Sequence, residues 1–150
     1  MKLKSILPIA LLTIIFSCGP KITTSTDQLV KEIESYASKV DANKRLKETT
    51  TEGALTDVDG FKDIGTFKYY VLFEESTNEL YRIKNIEKTD KTITETFYFE
   101  NGDLVQAISV SSNATQKIYL SRGKVIHSSN ISPEEQKLLL DKAKRFKKAF

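Results

Sequence analysis

The sequence predicts an α+β domain in which an N-terminal helix and a C-terminal helix bracket an antiparallel β-meander of about six strands. Three observations carry that expectation. Apolar residues recur at helical spacing near both ends of the domain, the apolar period changes to two from Thr66 onward, and short turn signals separate the alternating segments.

The first helix is expected over 27–47. Ser25 followed three residues later by Gln28 has the spacing of a capping box, and Leu29, Ile33, Tyr36, Ala37 and Val40 then share a face. The run Thr49-Thr50-Thr51 and Gly53 ends it, and 53–65 reads as a loop with at most one short extended piece. In the first strand, 66–74, Phe67, Tyr69, Val71 and Phe73 alternate with Lys68, Tyr70 and Glu74. Ser76-Thr77-Asn78 turns the chain into a second strand, 80–87, and a third covers 93–99. Asn101-Gly102 is the best hairpin signal, since both residues tolerate the positive φ of a type I′ turn. Strand 104–110 returns along it, and strands 116–120 and 124–128 flank a further turn at Arg122-Gly123. Ser132-Pro133-Glu134-Glu135 is a strong helix start, after which Leu139, Ala143, Phe146 and Phe150 line one face. An antiparallel sheet readily buries one face, and two amphipathic helices are available to cover it.

Ahead of this domain, residues 1–17 have the grammar of an export signal: Lys2 and Lys4, then an apolar stretch from Ile6 to Phe16 with no acidic residue. About 20 apolar residues are needed to span a bilayer, so this stretch with its Pro8 is too short for a permanent span. It leads into Ile15-Phe16-Ser17-Cys18-Gly19, which resembles the lipobox of bacterial lipoproteins, Phe16 being bulkier than the family's usual residue. The resemblance covers 1–18 and implies cleavage before Cys18, a diacylglyceryl group on its thiol and acylation of the new amino terminus. Several acyl chains make a stable anchor where one binds only marginally. Cys18 is the only cysteine, so an internal disulfide is excluded, and lipid accounts for the lone thiol. Residues 18–26 then form a short Thr-rich tether, and 27–150 the single domain. The protein is expected on the cell membrane or outer membrane, facing the periplasm or exterior.

Two fainter likenesses concern the domain. Phe97-Tyr98-Phe99 with Gly102 and Ile118-Tyr119-Leu120 with Gly123 resemble the Tyr/Gly hairpin repeats of MORN-type proteins, although any meander with aromatic strands and Gly turns produces such a pair. The order helix, meander, helix is similar in architecture to cystatin-like and β-lactamase-inhibitor-like lipoprotein domains, an analogy that carries no functional motif.

The chain has 23 basic and 20 acidic residues, and loss of Lys2 and Lys4 would leave a nearly neutral protein, so the basic pI is no argument for nucleic acid. His127 is the single histidine, late in the last expected strand, and reads as a half-exposed strand residue rather than a general base. One histidine and no free thiol do not make a zinc site, and neither a Walker pattern nor a Gly-x-Gly-x-x-Gly run offers a phosphate cradle. Asp57-Val58-Asp59-Gly60 with Asp63 lacks the EF-hand's remaining ligands and reads as a turn in which Asp and Gly bond locally. Glu74-Glu75 and Glu134-Glu135 are adjacent and point apart, which does not make a carboxylate pair. No catalytic residue, metal or cofactor is expected.

Two surfaces remain. Tyr70, Tyr81, Tyr98 and Tyr119 would cluster on an exposed sheet face if the hairpins stack in register, the alternative being core positions. Lys142, Lys144, Arg145, Lys147 and Lys148 gather near the end of the last helix, where cations suit the helix dipole and would also meet anionic head groups. The leading expectation is a non-enzymatic, membrane-tethered domain that binds an envelope protein or peptide. The second is a carrier for a lipid or other apolar ligand held between sheet and helices, which would show a continuous apolar cavity of several hundred Å³.

Overall fold

A computed structural model describes residues 25–150 except Asn113. The expected signal segment, Cys18 and nearly all of the tether lie outside the described residues. Two helices, α1 (Thr26–Ala42) and α2 (Pro133–Ala149), flank seven strands, β1 (Lys47–Thr56), β2 (Asp63–Glu74), β3 (Glu79–Lys88), β4 (Thr92–Glu100), β5 (Asp103–Ser111), β6 (Ala114–Ser121) and β7 (Lys124–Ser129). The strands form one antiparallel sheet in simple sequence order. The fold class is therefore α+β with a helix at each end, as the sequence predicts, with one strand more than expected.

The extra strand is β1, and it replaces the end of the expected helix and much of the expected loop. Helix α1 stops at Ala42 because Asn43 takes an extended conformation as the C-cap. The threonines that follow are β-branched and favour a pleated strand. Their period is invisible in the sequence because β1 is an edge strand, exposed along most of its length, and so lacks the apolar alternation that marks a half-buried strand.

The helix starts follow their sequence signals. The Ser25 side chain accepts from the Gln28 N–H at 3.2 Å, while the Gln28 side chain turns to Glu32, so half of that capping box forms. At Ser132 the box is complete, with Glu135 returning to the Ser132 N–H at 2.9 Å. Asn101-Gly102 and Arg122-Gly123 both have positive φ, as type I′ hairpins require.

The helices lie on opposite faces of the sheet rather than together on one. Leu139 and Ala143 of α2 pack on Ile83, Phe97, Phe99, Ala107 and Ile118, with Phe146 tilted against Tyr69 and Phe97. On the other face Ile33, Ala37 and Val40 of α1 pack on Leu72, Tyr98, Val105 and Tyr119. Three hairpins share one device that makes the second face possible. In each returning strand the third residue, Tyr81, Val105 or Ile126, is skipped by the ladder. Each such bulge sends two successive side chains toward α1 and adds twist to the sheet.

Candidate functional site

The bulges set a row of paired residues across the sheet beneath α1: Leu72, Arg82, Tyr98, Gln106, Tyr119 and His127. Most of it is polar and is matched by α1. The Tyr98 hydroxyl donates to Asp41 at 2.8 Å, the Tyr119 hydroxyl donates to Glu34 at 2.6 Å, and Tyr36 donates to the carbonyl of Phe99. Arg82 joins Asp41 and Glu48, and Lys117 joins Glu34. The Tyr119 and Lys117 bonds hold the Glu34 carboxyl below its ordinary range. Burial, and then the bond to Asp41, pushes the Tyr98 phenol up. Among the described residues, the Arg82 Nε and Gln106 Oε1 atoms are buried without a protein partner.

This arrangement corrects the expected tyrosine surface. Tyr98 and Tyr119 do stack in register with their hairpins, yet α1 covers them, leaving 6% and 3% exposure. They bind the helix and are not an exposed patch. Tyr81 is half-buried beside them, its hydroxyl donating to Glu79 at 3.1 Å, and Tyr70 is half-buried on β2 opposite Lys84. His127 lies exposed on β7 beside the Tyr119 ring. In the acidic turn, Asp57 accepts from the N–H groups of Gly60 and Phe61, each at 3.0 Å, which is the local bonding its sequence suggests.

The cationic helix end also divides. Lys142 is turned inward, where its ammonium reaches Glu87 at 2.7 Å and Glu95 at 2.6 Å. Asn85 donates to the same two carboxylates at 2.8 and 3.1 Å, closing a four-residue network on the α2 face. Burial alone would raise Glu87, but the bonds from Lys142 and Asn85 outweigh it and bring its carboxyl below the ordinary value. Burial likewise opposes the charge on Lys142, and the two carboxylates overcome it and hold the ammonium protonated. Lys142 is thus committed to the core and unavailable to a membrane surface. Lys147 donates to the carbonyl of Gly102 and Lys144 pairs with Asp141, whereas Arg145 and Lys148 are exposed and make no ion pair among the described residues.

Beside this network, the corner of the sheet formed by β1, β2 and the C-terminal half of α2 is left partly uncovered. A groove of about 440 Å³ opens there, lined by Leu55, Phe67, Tyr69, Phe146 and Ala149 together with Thr51, Arg145 and, from the network, Asn85, Glu87 and Lys142. Gly53 shapes it: a Cβ at that position would stand 2.8 Å from Phe67, so only glycine lets that ring lie across the edge strand. A cleft of about 340 Å³ between α1 and the turns at 101–103 and 121–122 has a charged mouth carrying Glu32, Glu100, Asp103 and Arg122. The groove is the more apolar of the two, and it is illegible in the sequence because its edge strand carries no apolar period.

Comparison with known protein families, curated proteins and solved structures finds no match for this chain. Among the described residues no helix is long and apolar enough to cross a membrane, and no group of three His, Cys, Asp or Glu side chains is placed to hold a metal ion.

Proposed function

We propose that this protein is a membrane-anchored lipoprotein whose domain binds a partner in the cell envelope without catalysing a reaction. The observation that carries the binding reading is the groove at the β1, β2 and α2 corner, an apolar and aromatic surface left open beside a rigid sheet. The anchor rests on the lipobox-like sequence ending at Cys18. Lys148, and Lys144 and Lys147 where they leave Asp141 and the Gly102 carbonyl, would face anionic head groups, each contributing about 1 kcal/mol where it reaches the surface, while Arg145 stays with the groove. The half-buried Tyr70 and Tyr81 remain candidates for a secondary contact.

The open form of the groove supports contact with a partner's surface more than storage of a ligand. Its apolar floor is what favours the second reading, a carrier for a lipid or other apolar ligand. A photo-crosslinking amino acid at position 67, in the lipidated protein in its native envelope, tests the binding reading. Protein adducts should form at 67 and not at the remote exposed position 134. Lipid adducts alone would favour the carrier, and no adduct would refute both. Labelling with a fatty-acid analogue tests the anchor, since label surviving on Cys18→Ala would sink it.

A further inference from the structure

Resting on the proposal that the groove binds a partner, we infer that the partner enters as an extended peptide that adds a strand to the outer edge of β1 and lays alternate side chains into the groove.

The edge is built to accept one. β1 is ten residues long, contains no proline, and among the described residues pairs only with β2, so about every second residue turns its N–H and C=O outward. Such edges are commonly blunted by charged side chains. Here each charge on β1 is instead drawn back to a neighbour: Lys47 to Glu75, Glu48 to Arg82, and Glu52 to Lys68. The residues along its middle, Thr49, Thr50, Thr51, Gly53 and Ala54, carry no charge. By contrast, β7 at the opposite edge has six residues.

The groove supplies side-chain specificity on the same strand. Thr51, Gly53 and Leu55 share the α2 face of β1 and pair with Tyr69, Phe67 and Gly65. Because Gly53 has no side chain, a residue beside it on an added strand would meet the Phe67 ring. Successive residues on that face of the peptide therefore find apolar contact, and those between them point away, which is the pattern of strand addition with alternate pockets. Arg145 at the rim favours a carboxylate at one end of the peptide. Charge argues against a second copy of this chain as the occupant. Of the two longest antiparallel self-pairings that keep α2 on one side, one sets Lys47 against the groove beside Leu55. The other faces Glu52 with Glu52.

The test uses the mature protein and a fluorescent synthetic peptide of about seven residues, alternating valine with serine and ending in a free carboxylate, a length that matches the groove-side run of β1. Two twin peptides are N-methylated, one on the serine nitrogens and one on the valine nitrogens, so that one of them removes the donors facing β1 whichever way the strand runs. Anisotropy should show saturable binding of the first peptide and about tenfold weaker binding of one twin, an effect of about 1.4 kcal/mol. Phe67→Ala should weaken binding at least as much. Arg145→Ala, an exposed change that leaves the core intact, should weaken it a few-fold, and should not change the binding of the same peptide made with an amidated C-terminus. Equal binding of the first peptide and both twins would overturn strand addition while leaving the groove as a binding surface. No binding, with position 67 still crosslinking to protein, would overturn the peptide inference alone. No binding and no crosslink would overturn the underlying reading as well. Concentration-dependent dimers abolished by Thr50→Lys would replace the peptide with a second copy.

Discussion

Replacing Lys142 with Met should give the protein a dependence on pH between 7 and 5 that the native protein lacks. Met keeps the length and the contact with Phe146, so the change removes the charge and its two hydrogen bonds from between Glu87 and Glu95. Breaking a buried ion pair from one side costs about 3 to 5 kcal/mol. Here the side chains retain 21%, 30% and 10% exposure, and solvent at Glu87 relieves part of that. A loss of about 2 to 3 kcal/mol follows, equivalent to roughly 10 °C in Tm for a domain of this size. The pH dependence is the sharper readout. In the native protein the Glu87 carboxyl is depressed, so its contribution is present above the ordinary carboxylate pKa and is lost as pH falls through the lower folded value. In the variant two carboxylates face each other with only Asn85 between them, and one takes up a proton above the ordinary range. Tm of Lys142→Met should therefore rise between pH 7 and pH 5, where the native protein is flat. Scanning calorimetry across that range reads both effects, and adding Glu87→Gln and Glu95→Gln should recover much of the loss. A shift under about 2 °C at pH 7, or a flat profile in the variant, would refute the account of Lys142 as a core cation.

Two further outcomes follow from the packing. Gly65→Ala would put a Cβ 2.2 Å from the backbone oxygen of Lys88, an atom that cannot swing aside, so the far end of the β2–β3 pair must open. A cost of about 2 to 3 kcal/mol is expected, with faster amide exchange confined to residues near 64–66 and 87–89. Tyr98→Phe removes the hydroxyl that donates to Asp41, and because Asp41 is 45% exposed and keeps Arg82, the loss should be about 1 kcal/mol by thermal melting. A loss near zero would mean that α1 is held by its apolar residues alone.

Much of the fold was legible because its signals are local. Ser132-Pro133 with Glu135, and the Asn-Gly and Arg-Gly turns, act within a few residues and appear where they were read. The strands that were recognised bury at least one face and so carry an apolar period. β1 buries almost nothing, and its residues gave no period to read. The tyrosines failed for a related reason. Alternation places a side chain on a face but does not say what covers that face, and Tyr98 and Tyr119 are covered by a helix far away in sequence. By sequence alone Lys142 is indistinguishable from its cationic neighbours. Its partners Glu87 and Glu95 lie on strands whose register with α2 no local pattern encodes.

The likeness between the 97–102 and 118–123 segments extends to a third hairpin once structure is considered. Val71-Leu72-Phe73, Phe97-Tyr98-Phe99 and Ile118-Tyr119-Leu120 occupy equivalent places, each followed by a turn and a bulge. In every copy the outer two residues enter the α2 core and the middle one meets α1. The repeat therefore makes two unlike faces: under α2 mainly large apolar side chains with the Lys142 network at their side, and under α1 an apolar patch around Ile33, Leu72 and Val105 bordered by tyrosine hydroxyls and ion pairs. A binding surface gains affinity when it is ordered before the ligand arrives, because less conformational freedom is lost on association. Tyr69 and Phe146 pack on the α2 core and against each other, with Phe67 beside them in the groove, whereas the cleft beside α1 carries charged groups for which water competes. The asymmetry of the two faces is thus the physical reason to look for the partner at the β1 corner and not beneath the first helix.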